Sequence, residues 1–165
     1  MRRLRFLKQH IKNPIDFDKG KFTFGHRIEL GTIMQDDNTS EVEKFELIIR
    51  CLHGFAPKPK QYGDLIPYFN DICNGLKKWA EMEAQLLNNE PTDEELQAGV
   101  KEFMRKVGEF GTVKSIAKAY SKDPDEVLNW EYAKVFGILF TDLEESKFQR
   151  RLNKVIENKY KSKSK

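Results

Sequence analysis

Two cysteines, Cys51 and Cys73, are all that 165 residues contain. That excludes a disulfide framework and fits a reducing compartment. No apolar run approaches the roughly 20 residues of a membrane span. The charged opening Met-Arg-Arg-Leu-Arg-Phe-Leu-Lys has no apolar stretch behind it, so no secretory signal is expected. Catalytic signatures are also missing: there is no glycine-rich phosphate loop, no nucleophile elbow and no His-Glu-x-x-His. His10, His26 and His53 are scattered, and with the two cysteines they fit no common zinc spacing. His26 and both cysteines fall among apolar positions and read as core residues. No repeat of 20–50 residues and no domain-sized linker divides the chain. These absences lead to the expectation of a non-enzyme with no catalytic residues, no metal, no cofactor and no membrane contact.

What is present favours a solvated, helix-rich body. Hydrophobic residues make up 39% and aromatics 12%, enough for a real core in a chain that buries about 70% of its unfolded surface on folding. Charged residues reach 33% and the mean hydropathy is -0.67. The net charge of +3 conceals a strong asymmetry. Residues 1–12 carry five basic side chains and no acid, a charge of +5. Residues 146–165 carry eight against Glu157, a charge of +7, and the stretch between them is -9. An acidic body with two basic ends follows, and basic ends suit an acidic partner or nucleic acid.

The expected fold class is mainly α: a single helical bundle with a small N-terminal β-hairpin or strand and basic terminal arms. Its parts are a basic N-terminal arm over 1–20, a mainly helical domain over 21–158 and a basic tail over 159–165. The strand is read from Phe22, Phe24, His26, Ile28 and Leu30, which share one parity as in a half-buried strand. From residue 40 onwards helical signals dominate. Ser40 with Glu43, and Thr92 with Glu95, have the form of capping boxes, and Asp64 can cap a helix with Pro67 in its first turn. Gly108-Glu109-Phe110-Gly111 reads as a turn. Asp123-Pro124-Asp125-Glu126 is the clearest helix start in the chain. The helix it opens is expected to run through Trp130, buried, to Phe140, and on towards residue 158 with or without a kink near Asp142.

A resemblance adds to this reading. Pro91-Thr92-Asp93-Glu94-Glu95-Leu96-Gln97-Ala98-Gly99, then Gly108-Glu109-Phe110-Gly111, then Ile116-Ala117, then Asp123 to Trp130, form an order similar to small helical proteins of tailed bacteriophages and prophages. It resembles in particular their tail assembly chaperones, over residues 91–156. The resemblance implies a non-catalytic binding protein that coats an apolar partner, with phage structural proteins or its own copies as partners. It implies a place in the cytoplasm of the bacterial host or in the virion. The N-terminal strand and basic arm are not part of that pattern, and they leave room for another role in a virion, such as a connector component.

The alternative is a DNA-binding helix-turn-helix protein of packaging or regulatory type, because Thr112–Trp130 has that outline. Ser121 stands where glycine usually makes the turn, and Lys122 where an apolar residue is usual. The would-be reading surface presents Asp123, Asp125, Glu126 and Asn129, and carboxylates repel a phosphate backbone. The candidate contacts therefore lie at the two ends: Arg2, Arg3 and Arg5, and a ridge of Lys147, Arg150, Arg151 and Lys154. At helical spacing the ridge shares one face, while Phe148, Leu152 and Val155 are expected to turn the other way into the body.

Overall fold

A computed structural model describes residue 11, residues 13–88 and residues 90–163, without the side chain of Lys163. Among the described residues seven α-helices follow one another: α1 (Phe24–Gln35), α2 (Glu41–His53), α3 (Tyr62–Leu86), α4 (Asp93–Gln97), α5 (Val100–Ala119), α6 (Pro124–Leu128) and α7 (Tyr132–Lys163). A 3-10 turn, Pro59–Gln61, leads into α3. The chain is mainly helical, as its composition and periodicity indicate.

The expected N-terminal strand is a helix. Phe22 and Thr23 are extended, but Thr23 caps α1 through a reciprocal box in which its hydroxyl accepts from the His26 amide and His26 Nδ1 accepts from the Thr23 amide. The box uses histidine where glutamate or glutamine is usual, which hides the helix start in the sequence. Phe24 and Leu30 are buried from this helix and Ile28 is partly buried against the core, so those alternating apolar residues are accommodated by a helix as well as by a strand. Pairing survives at one antiparallel bridge, Thr23 with Glu131. There the Phe24 amide donates to the Trp130 carbonyl at 2.9 Å, and the Tyr132 amide to the Phe22 carbonyl at 2.7 Å.

Most helix starts follow local chemistry. Ser40–Glu43 and Thr92–Glu95 form their boxes, and Asp123 caps α6 with Pro124 at its first position. Asp64 lies inside the first turn of α3 rather than at its cap, and Pro67 sits further in, within the helix. The long helix expected from Asp123 is divided. It stops at Leu128, and α7 begins at Tyr132, because residues 130–132 turn their backbone groups to residues 22–24. Trp130 is consequently half-buried, packed edge-on against Tyr120 at 5.6 Å with Lys134 Nζ 3.5 Å from its ring centre. No kink forms at Asp142; α7 is continuous. The helix opened by Thr92 is interrupted at Gly99, and α5 is broken at Gly108, while Gly111 remains helical.

The core is aromatic at its centre. Phe17 stacks on Phe22 at 4.8 Å, Phe22 on Tyr132 at 5.3 Å, and Trp79 meets Tyr132 and Phe136 edge-on at 5.3 Å each. Trp79 donates its indole N–H to the Phe17 carbonyl at 2.8 Å, so its one polar atom is satisfied. Packing this tight requires glycine at two places. A Cβ on Gly20, whose φ is +62°, would lie 2.6 Å from Trp79 Cζ2, and one on Gly75 would lie 2.5 Å from Phe17 Cβ. Ile11 and Phe17 are fully part of this core, so the packed body extends back before residue 21.

Candidate partner-binding surface

Helix α7 begins in the aromatic core and ends away from it. Tyr132, Val135 and Phe136 are buried. Past Arg150 the pattern changes: every residue from Arg151 to Ser162 is exposed. At 1.5 Å per residue those twelve residues extend the helix by about 18 Å. Phe148, Leu152 and Val155, expected to turn into the body, are instead exposed at 52%, 38% and 50%, with Ile156 at 42%. Their spacing is helical as expected, but among the described residues no other element buries them. The distal part of α7 thus carries an apolar strip and a basic ridge on neighbouring faces.

The ridge is divided in its engagement. Lys147 Nζ lies 3.0 Å from Glu144 one turn earlier, and Arg150 Nη2 lies 3.3 Å from Glu95 on α4. Arg151 and Lys154 are exposed. The Glu95 contact shows why α4 stands beside α7: the Thr92 box points the acidic first turn of α4, Asp93 to Glu95, towards the basic helix. Glu94 is held below the ordinary carboxylate range by hydrogen bonds from its own amide and from Thr92, with the positive charge of Lys154 adding to them. The α4–α5 ledge also exposes Leu96 at 41%, Phe103 at 59% and Met104 at 55%. Sequence periodicity placed these residues on a stripe but gave no sign that the stripe would be left open. Arg2, Arg3 and Arg5, the other half of the expected contact set, lie outside the described residues.

Polar groups within the body are occupied structurally. Arg27 donates from Nε and Nη2 to the two carboxylate oxygens of Glu83 at 2.7 and 2.5 Å, and the Tyr132 hydroxyl donates to Glu83 Oε1 at 2.6 Å. Burial and the Glu83 carboxylate push the Tyr132 hydroxyl well above its usual range, and hydrogen bonding to Glu83 holds the Arg27 charge in place. This fork closes the back of a cleft of about 300 Å³ lined by Phe24, Leu87, Glu109 and Leu143. The Ile15 amide donates to the Tyr68 hydroxyl at 2.9 Å, and that hydroxyl is hydrogen-bonded to His53 Nε2 at 3.0 Å. Burial pushes the Cys51 thiol up to about 12, with Glu29 reinforcing the shift, and raises that of Cys73. Thiolates are therefore scarce at neutral pH, and both cysteines act as small, half-buried packing residues. Among the described residues no cluster of histidine, cysteine and carboxylate side chains could hold a metal ion, and no helix is long and apolar enough to cross a membrane.

The helix-turn-helix outline is kept as helix, turn and a short second helix. Ser121 takes the left-handed conformation, φ +52°, that glycine would supply, and the Lys122 amide closes on the Ala117 carbonyl at 2.8 Å. The second helix, α6, has five residues, and Asp123, Asp125 and Glu126 are exposed at its start. No family model, no curated protein and no solved structure matches the chain.

Proposed function

We propose that this chain is a non-catalytic assembly protein of tailed-phage type, a tail assembly chaperone or a virion connector component, acting in the host cytoplasm or the virion. The observation that carries the reading is the distal half of α7, where Leu152, Val155 and Ile156 stand exposed beside Arg151 and Lys154 on a helix clear of the body. Exposed apolar residues grouped on one element mark an interaction surface more often than a solvated face. A basic rim beside them favours acidic, extended protein partners and steers their approach. The resemblance of residues 91–156 supplies the phage context, and the acidic body is compatible with holding an apolar client in solution.

The test is co-expression with each structural protein encoded beside this chain, reading how much of that protein stays in the supernatant. Wild type should raise the soluble amount of one of them several-fold, and a variant with Lys147, Arg150, Arg151 and Lys154 changed to Glu should not. Equal solubility with both variants, or with neither, overturns the reading. Binding of arbitrary duplex DNA that falls steeply with salt would put the DNA-binding alternative in its place, because released counterions scale with the phosphates neutralised.

A further inference from the structure

We infer that the exposed end of α7 docks on the α4–α5 ledge of a second copy of this chain, and the same contact in reverse closes a symmetric dimer. The inference rests on α7 being a protein-contact element, as proposed above, and names its first partner.

Three observations lead to it. An isolated helix of about twelve residues is marginal in water, so a stretch that is helical and wholly exposed needs a surface to lie on. Phe148, Leu152 and Val155 follow at spacings of four and three, which is one continuous seam along the helix. The ledge at the base of the helix exposes its own apolar set, Leu96, Phe103 and Met104.

Charge selects the occupant. Residues 151–163 hold Arg151, Lys154, Lys159, Lys161 and Lys163 against Glu157, a charge of +4. The acid of the ledge is concentrated at its α4 end: residues 88–100 hold Glu90, Asp93, Glu94 and Glu95 and no basic residue, a charge of -4, whereas Lys101, Arg105 and Lys106 against Glu102 follow beside Phe103 and Met104 and bring residues 88–107 to -2. The two segments already attract within one chain, where Arg150 reaches Glu95. That contact uses only the base of the helix. Lys154 still acts on Glu94 one turn further on, but the residues beyond it run past their own ledge by about 12 Å, too far along the axis to turn back. Two helices packed antiparallel remove this mismatch: the basic end of each meets the acidic ledge at the base of the other, and the apolar seams face one another between them. Two basic ends packed in parallel would repel, so the antiparallel arrangement is the one the charges allow. Such a contact is isologous, the same patch on both copies, and closes at two.

The experiment uses the full chain and two charge-reversed variants. One carries Asp93→Lys, Glu94→Lys and Glu95→Lys on the ledge; the other carries Arg151→Glu, Lys154→Glu and Lys159→Glu on the helix. Sedimentation equilibrium at tens of micromolar and low salt should give twice the chain mass for wild type, falling towards one chain mass as salt rises. Each variant alone should be a monomer, since like charges then face each other, and circular dichroism should show both folded. Mixed in equal amounts they should form a heterodimer, because the reversed ledge of one then meets the reversed helix of the other, and native ledge meets native helix, each pair of opposite sign. A monomeric wild type, or a mixture that stays monomeric, overturns the inference. A monomer that still keeps a neighbouring structural protein soluble would sink the dimer alone; a dimer that keeps none soluble would sink the assembly reading alone.

Discussion

The aromatic centre and the distal half of α7 are built from the same kinds of residue and meet opposite fates. Around Trp79, the residues Phe17, Phe22, Tyr132 and Phe136 close on one another until glycine is required at positions 20 and 75. Twenty residues along the same helix that supplies Tyr132 and Phe136, the side chains of Leu152, Val155 and Ile156 stand in solvent. Both stretches show helical apolar spacing. The difference lies in the neighbour: the first has α1, α3 and the residues before α1 packed over it, and the second stands exposed beyond the corner where Arg150 meets Glu95. An apolar stripe therefore defines a face to be covered, and the tertiary structure decides whether the chain itself covers it.

Substitutions sharpen that contrast. The largest effect is expected at Trp79→Ala, which empties the aromatic centre and leaves the Phe17 carbonyl without its indole donor; about 3–5 kcal/mol should be lost in chemical denaturation. A loss under about 1 kcal/mol would mean that the centre is loosely packed and the contrast false. Next comes Glu83→Ala, which strips the acceptor from both Arg27 and Tyr132. The pair is about one-fifth exposed, so a loss of about 2–3 kcal/mol is expected, below that of a fully enclosed pair. Asp123→Ala removes a cap from a short surface helix and should cost about 1 kcal/mol.

A pH titration probes the body from another side. Burial lowers the affinity of His26 and His53 for protons, with Glu29 partly opposing it at His26 and the charge of His26 adding to it at His53. A histidine held neutral in the fold binds fewer protons than in the unfolded chain. Stability is therefore complete above the ordinary value of 6.5 and declines as pH falls below it. Urea midpoints between pH 7.5 and 5.5 should drop, and the slope should flatten in His26→Gln, His53→Gln. An unchanged slope in that variant would assign the decline to other groups.

The smallest effect belongs to the distal helix. Leu152→Ser with Val155→Ser should change the stability of the monomeric body by less than about 0.5 kcal/mol, because both side chains are exposed. The measurement is made at a dilution that separates copies, where any stabilisation by association has vanished. A loss near that of Trp79→Ala would show that the strip packs on its own body after all.

Local chemistry was legible wherever a backbone group is satisfied within a few residues. Ser40, Thr92 and Asp123 cap their helices as their spacing indicates, and Gly54 ends α2. The α1 cap escaped because His26 does the work usually done by glutamate. The break at residues 129–131 escaped for a different reason: the backbone there is satisfied by residues 22–24, a hundred positions away, which no local pattern reveals. The basic ridge was legible in charge and spacing, yet its pairing was not, since Arg150 meets Glu95 only once α4 is folded beside α7.

By itself, then, the sequence determined helix content, most helix starts, the acidic body with basic ends, and the apolar face of each helix. Those follow from interactions spanning one turn or from composition. Only the tertiary structure decided that residues 24–35 are helical rather than extended, that Trp130 is half-covered, and that Leu152, Val155 and Ile156 stand exposed. The reason is physical: burial is a property of two surfaces, and a periodicity describes one of them.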